Sequence, residues 1–410
     1  MEQTELNRSF LSLVRLGIEH SASNLSENAD LAAVKALAEK QGLSAVVLDG
    51  LNDVRSKRSD VRSNSLQEKI LLAEWIGEVH QFYEQRYEQY LQAISSLAKF
   101  YNSHGFMMMI LKGYACSLDW PKPEHRPCGD IDIWLFGKQK DADKALESVE
   151  FSVDFPIGRR PSFESVETAK KVESVKKIKV DRSHHHHTVF NWQDFMVENH
   201  YDFVNVHARR SSAELEKVFK ELGSKSNIND NENNLKLDTS QRGTRIACVE
   251  VLGEKVYLPS PNLHALFLVK HMASHFTGAN ITFRQVLDWA FFVKKHSSQI
   301  DWNWLIKMMK DFHLNDFMNS INAICVDELG FDAKIFPSVQ FNPDIKKRVF
   351  NDIIHPEFEA ASPKLLIPRI IYKYRRWQGN AWKQRLCYNE SRWSAFWGGI
   401  WSHLLKPSSI

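Results

Sequence analysis

Apolar residues at Phe10, Leu13, Val14 and Ile18 recur every three or four positions, the spacing of one face of a helix. The same spacing runs through Ile76, Val79, Tyr83, Tyr87, Tyr90, Leu91, Ile94 and Leu97. Residues 1–105 are therefore predicted helical, with a polar connection over 57–64 and a stop at Gly105. The texture then changes. Phe106–Leu111 and Ile131–Phe136 are short continuous apolar runs, the signature of strands buried on both faces. Ala142–Val149 fits one short helix. Thr188–Trp192 and Phe195–Phe203 read as two strands joined at Gln193-Asp194, and Ile246–Val251 and Lys255–Leu258 as a hairpin turning at Gly253-Glu254. Two polar insertions, Ser162–Lys179 (charged, with helical character) and Ser224–Gly243 (rich in Asn, Asp and Ser, a loop), interrupt this region.

Pro259-Ser260-Pro261-Asn262 is a strong helix start, and helical spacing returns from 263 to about 330. The layout predicts an α+β protein. A helical region, 1–105, precedes a mixed region, 106–258. A second helical region, 259–360, and a tail, 361–410, follow.

With 410 residues, 43% hydrophobic and 25% charged, the chain suits a large globular core and excludes wholesale disorder or a small disulfide scaffold. The polar start, Met1–Arg8, has no apolar stretch of a signal peptide, and no run reaches the length of a membrane span. Five scattered cysteines without a C-x-x-C pair argue for a reducing compartment and against a structural zinc site. A cytoplasmic location is the expectation. Charge adds one feature. From Ala361 onward nine Lys or Arg face one acid, Glu390, giving +8, while the whole chain is only +3. Five of the twelve tryptophans sit in the same tail: Trp377, Trp382, Trp393, Trp397 and Trp401. A basic, aromatic tail on an acidic body suits an interaction surface, peripheral to an anionic inner membrane face. Packing of the tail on the body is the plainer alternative.

The sharpest chemistry lies in Leu111-Lys112-Gly113-Tyr114, then Arg126, then Gly129-Asp130-Ile131-Asp132. Asp130 and Asp132 alternate onto one strand face, where two carboxylates repel unless a divalent cation lies between them. Mg²⁺, with Mn²⁺ as an alternative, suits such oxygens and the phosphates of a substrate. Gly113, between a strand and a short helix, lets backbone amides approach a phosphate, and Lys112 and Arg126 supply positive charge. A lone D-x-D is usually two solvated acids; the combination is what carries weight.

Gly113 followed by the Gly129–Asp132 segment resembles the strand-helix-strand signature of the polymerase-β-like nucleotidyltransferase superfamily. The fuller pattern, L-K-G-Y…P…R…G-D-I-D, is similar to uncharacterised bacterial nucleotidyltransferases often found near polysaccharide-synthesis genes. The similarity continues through Val197–Tyr201, His271–His275 and Arg284–Trp289. It implies a polymerase-β-like core with helical flanks and Mg²⁺-dependent transfer of a nucleotide from an NTP to an acceptor, with release of pyrophosphate. It also implies a third carboxylate, for which Glu198 is the choice, since Glu198 and His200 alternate onto one face. Asp202 and Asn205 are the competing positions. His200, Lys270 and Arg284 are implied on the nucleotide side, although Lys270, Arg284 and Asp288 also fit mutual surface pairing.

A metal site is one reading of His184–His187, but alternation would split the run between two faces if it is a strand, and a solvated loop or strand start is the expectation. His271 and His275 have metal-ligand spacing, but Met272 stands where H-E-x-x-H needs Glu, which rejects a zinc hydrolase. Two other functions compete: a catalytically weak relative acting in binding or assembly at a membrane, and a nucleic-acid-binding protein using the tail. The acceptor is open: a sugar phosphate, a small molecule, an RNA end or a protein hydroxyl.

Overall fold

The computed structural model describes residues 2–21, 29–57, 65–148, 150–151, 176–207, 209, 211–228, 242–337, 341–358, 363, 365–389, 391, 393 and 397. The chain begins with α1 (Glu2–Gly17), α2 (Leu31–Gln41) and α3 (Ser44–Lys57). Helices α1 and α3 touch backbone to backbone. A Cβ on Gly17 would lie 1.9 Å from the Val46 carbonyl oxygen, and one on Gly50 2.0 Å from that of Leu13, so only glycine permits the crossing. Asp30 caps α2 by accepting from the Ala33 amide, and Gly42, at φ 67°, ends it. Helix α4 (Leu66–Val79) runs through a π turn, His80–Glu84, into α5 (Gln85–Ser103), which stops at Gly105 as predicted. Of the expected polar connection, residues 58–64 lie outside the described residues.

The mixed region supplies β1 (Met109–Ile110), α6 (Tyr114–Ser117), β2 (Ile131–Trp134), α7 (Gln139–Ser148), β3 (Glu150–Phe151), β4 (Lys176–Lys177), β5 (His187–Trp192), β6 (Phe195–His200), α8 (Ser212–Leu222), β7 (Ala247–Val251) and β8 (Glu254–Leu258). Six strands form one mixed sheet in the order β5-β6-β2-β1-β8-β7; β3 and β4 pair separately. Strand β2 runs parallel to β6 and antiparallel to β1, and β1 runs parallel to β8. Strand β1 is shorter than the apolar run around it, although Met108 and Leu111 each continue the ladder by one hydrogen bond, to the Tyr257 amide and the Asp132 carbonyl. Strand β6 ends at His200, three residues before its predicted end. There the amides of Tyr201 and Asp202 turn away and donate to the His186 carbonyl. Most of the first polar insertion, and residues 229–241 of the second, lie outside the described residues. Lys225–Asn227 of the second form a 3₁₀ turn.

Helix α5 covers one face of the sheet, where Tyr90, Ile94, Leu97 and Tyr101 meet Ile110, Ile131, Ile133 and Val197. The other face belongs to a larger core shared with the remaining helices: α9 (Pro261–Gly278), α10 (Phe283–His296), α11 (Trp302–Asp311), α12 (Asn315–Asp327) and α13 (Pro343–Ile354). Helices α1–α3 join that core as well. The Gln41 side chain accepts from the Phe283 amide at 2.9 Å and donates to the Ile353 carbonyl at 3.0 Å.

The tail divides. In α15 (Ala381–Cys387), Leu386 and Cys387 are buried, Lys383 pairs with Asp352 at 2.5 Å, and neighbouring Trp382 meets Phe276 edge-on. Helix α14 (Leu366–Gly379) is mostly exposed. Trp377 is half-buried, Trp393 and Trp397 are exposed, and Trp401 lies outside the described residues.

Candidate active site

Alternation along β2 sends Ile131 and Ile133 into the α5 face, and Asp132 toward α9. Register then pairs Asp132 with Glu198 on parallel β6 and Trp134 with His200. Asn199, between them, points the other way and donates to Asp143 at 2.9 Å. One ligand-capable atom from each of Asp132, Glu198 and His200 lies within 4.8 Å of the other two. Asp130 precedes the strand and lines the cleft mouth with Gly129, Gly113 and Lys112. The competing positions have other partners: Asp202 binds Lys220 at 2.6 Å, and the Asn205 amide oxygen accepts from the His207 amide.

Asp132 is fully buried. Its Oδ1 takes the Lys112 ammonium at 2.7 Å and His200 Nε2 at 3.4 Å, while its buried Oδ2 has no hydrogen-bond partner among the described residues. Burial pushes the Asp132 carboxyl up, but the Lys112 and His200 charges prevail and hold it well below the ordinary range. Asp130 moves the other way, raised by burial and then by the Asp132 charge. Burial opposes the charge on His200, yet Asp132 and Glu198 raise its pKa to about 9. Glu198 is lowered: burial acts upward, and its His200 contact overcomes it. The buried oxygen, without a donor among the described residues, and the oxygen-rich donor set fit a hard divalent cation.

Gly113 sits at φ 59°, ψ −103°, and a Cβ there would fall 2.1 Å from the Tyr90 hydroxyl. That hydroxyl donates to the Asp130 carbonyl at 2.9 Å, tying α5 to the glycine turn and the first aspartate at once. Lys112 also lies 3.4 Å from His271 Nε2 on α9. Arg126 lines the cleft, but its guanidinium grips Asp288 of α10 in two bonds of 2.7 and 3.0 Å, and Trp120 donates to the same carboxylate. Arg284, one turn earlier on α10, lines the cleft too. Lys270 is not brought there; it is buried against Tyr388, 3.2 Å from the hydroxyl. The sequence reading missed Tyr90 as the support of the turn. It also missed His186 and His187, which approach His200.

A small mixed sheet that offers two aspartates and a neighbouring glutamate beside a glycine turn has the make-up of a nucleotidyl-transferring enzyme. A family model described as an uncharacterised nucleotidyltransferase matches residues 27–234 and 221–329, and the chain belongs to that family. The protein is an enzyme of nucleotidyl transfer, with residues 1–26 and 330–410 outside the match. No curated protein and no solved structure matches the chain.

Proposed function

We propose that the enzyme transfers a nucleoside monophosphate from an NTP to an acceptor hydroxyl or phosphate, with release of pyrophosphate. Asp130, Asp132 and Glu198 would hold Mg²⁺, or Mn²⁺ in its place. The observation that carries this is the pairing of buried Asp132 with Glu198 across parallel strands, with one Asp132 oxygen lacking a donor among the described residues. When bound, the metal supplies charge neutralisation at the phosphates and a more acidic acceptor. The protein does the rest by position. Lys112, released from Asp132, reaches the triphosphate with the backbone of the Gly113 turn. Arg284 faces the nucleotide from α10. Arg126 positions the loop ahead of Asp130 through its two bonds to Asp288. In the metal-free protein His200 favours the ionised forms of Asp132 and Glu198.

The test is incubation with each of the four α-labelled NTPs, Mg²⁺ and candidate acceptors, following label transfer and pyrophosphate together. Asp132→Asn should keep the fold and lose transfer. Wild-type turnover in that variant would reject the assignment.

A second observation supports a membrane surface as partner. Ile367, Ile370, Ile371 and Tyr374 lie along one face of α14 and are between 49% and 70% exposed. Arg369, Lys373 and Arg375 are exposed on the same helix. Such a helix lies in the interface of an anionic bilayer, each basic residue adding about 1 kcal/mol. Liposome co-sedimentation of the full chain, against Ile367→Ser/Ile370→Ser/Ile371→Ser, decides the matter. Equal sedimentation of the two removes the membrane, and salt-sensitive binding to RNA instead would indicate a nucleic-acid surface.

A further inference from the structure

Four histidines, His184–His187, lead into β5, and nucleotidyl transfer as described above gives the run no task. Strand alternation does not split them, because the strand starts only at His187 and the residues before it bend. The His186 carbonyl takes the amides of Tyr201 and Asp202 at 3.0 and 3.1 Å, which pins the run against the end of β6. As a result one ring nitrogen from each of His186, His187 and His200 lies within 4.8 Å of the other two. Ring centroids are 4.4 Å apart for His186 and His187 and 5.2 Å for His187 and His200.

The second observation is chemical. His187 is only 7% exposed, yet neither of its ring nitrogens has a hydrogen-bond partner among the described residues. The same holds for His186 Nδ1. Buried polar atoms are normally satisfied, and leaving several unmet in one place costs stability. Carboxylate oxygens complete the wall: Glu198 Oε1 is 4.0 Å from His187 Nε2, and Oε2 is 3.7 Å from His200 Nε2.

We propose that His186, His187 and His200, completed by Glu198, bind a transition-metal ion of the zinc class. Three imidazoles and a carboxylate match zinc in number and kind, whereas Mg²⁺ prefers oxygen ligands throughout. The site therefore differs in chemistry from Asp130 and Asp132 beside Lys112, with which it shares the two-oxygen carboxylate of Glu198. Zinc–nitrogen bonds of about 2.0–2.1 Å set neighbouring ligand atoms about 3.3 Å apart. The rings close by about 1.5 Å at most to reach that spacing, a movement that side-chain rotation supplies.

The experiment titrates untagged full-length protein with Co²⁺, and then with Zn²⁺ in competition, in millimolar Mg²⁺ and without nucleotide. Visible Co²⁺ absorption reports the ligand field, and elemental analysis reports stoichiometry. One equivalent should bind, and Zn²⁺ should displace it. His187→Ala and His200→Gln should each weaken binding at least about a hundredfold, on the premise that each removes a direct ligand. His184→Ala, outside the trio, should stay within about threefold of wild type. Thermal unfolding of each variant verifies that it folds, and two ligand variants on different strands guard against one misfolding. Wild-type affinity in His200→Gln would mean that the histidine run binds metal as a tag does, and would overturn the proposal. Absence of a bound equivalent in the wild-type protein would overturn it too. Because no nucleotide is present, the result stands apart from whether the enzyme transfers nucleotides as proposed.

Discussion

Replacing Lys112 by Met tests whether an ammonium and a divalent cation share Asp132. The pair is buried, with the Lys112 side chain 15% exposed and that of Asp132 1%. Removing one partner of a buried ion pair costs about 3–5 kcal/mol, because the other charge is left behind. His200 remains 3.4 Å from Asp132, so the lower end, about 3 kcal/mol, is expected. With a urea slope of about 2–3 kcal/mol/M, the unfolding midpoint in chelator should fall by about 1 M or more. Magnesium should restore much of it. A ligand at a hundred times its Kd adds about 2.7 kcal/mol, and in the variant no ammonium has to be displaced first. In the wild-type protein the same Mg²⁺ must evict Lys112, so its midpoint should move less. The assay is urea unfolding of both proteins with and without Mg²⁺. Equal Mg²⁺ responses, or a variant as stable as wild type in chelator, would refute the shared-carboxylate argument.

Gly113→Ala should cost at least about 2 kcal/mol in urea unfolding. About 1–2 arises from the positive φ and about 1 from displacing the Tyr90 hydroxyl from Asp130. Adding Tyr90→Phe should make the double variant less unstable than the sum of the singles; strict additivity would refute the clash. Without metal, the charge on His200 contributes stability that is complete below about pH 6.5 and lost as pH rises through about 9. The urea midpoint should fall across that window in wild type, and should do so less in His200→Gln. In the tail, Leu386→Ala should cost about 2–4 kcal/mol, since that side chain is buried, whereas Ile370→Ser should leave thermal unfolding nearly unchanged.

The strands and the Asp132–Glu198 pair were legible because both obey a local rule. A period of two decides which side chains share a face, and the resemblance indicated which acid to look for. The Gly253 turn and the Gly105 stop were legible for similar reasons, being residues whose backbone freedom marks a boundary. Arg126 was harder. Its partner Asp288 is 162 positions away, and no periodicity announces a pair that distant. Lys270 could not be oriented either, since α9 is buried almost all round and its apolar pattern selects no face. The histidine run misled for the opposite reason. A two-residue period was applied to a bend, whereas the His186 carbonyl turns the chain so that His186 and His187 both reach His200. The tail's composition was uniform, but its packing is not, because Lys383 pairs with Asp352 on the body while Ile367, Ile370, Ile371 and Tyr374 of α14 stay exposed.

The clasp made by Gln41 has a consequence for the order in which the molecule assembles. Its carbonyl partner, Ile353, is 312 positions later. At a synthesis rate of about 5–20 residues per second, the first helices wait roughly 15 to 60 s for the surface that completes them. During that interval the faces of α1 and α3 that hold Phe10, Val14 and Val47 gain cover in steps, from α2 at once and from Phe283 of α10 much later, while the sheet can already close on α5. The catalytic layer is thus born ahead of the scaffold that brackets it. Nascent chains stalled before α13 should carry a formed sheet and an unfinished, chaperone-binding N-terminus.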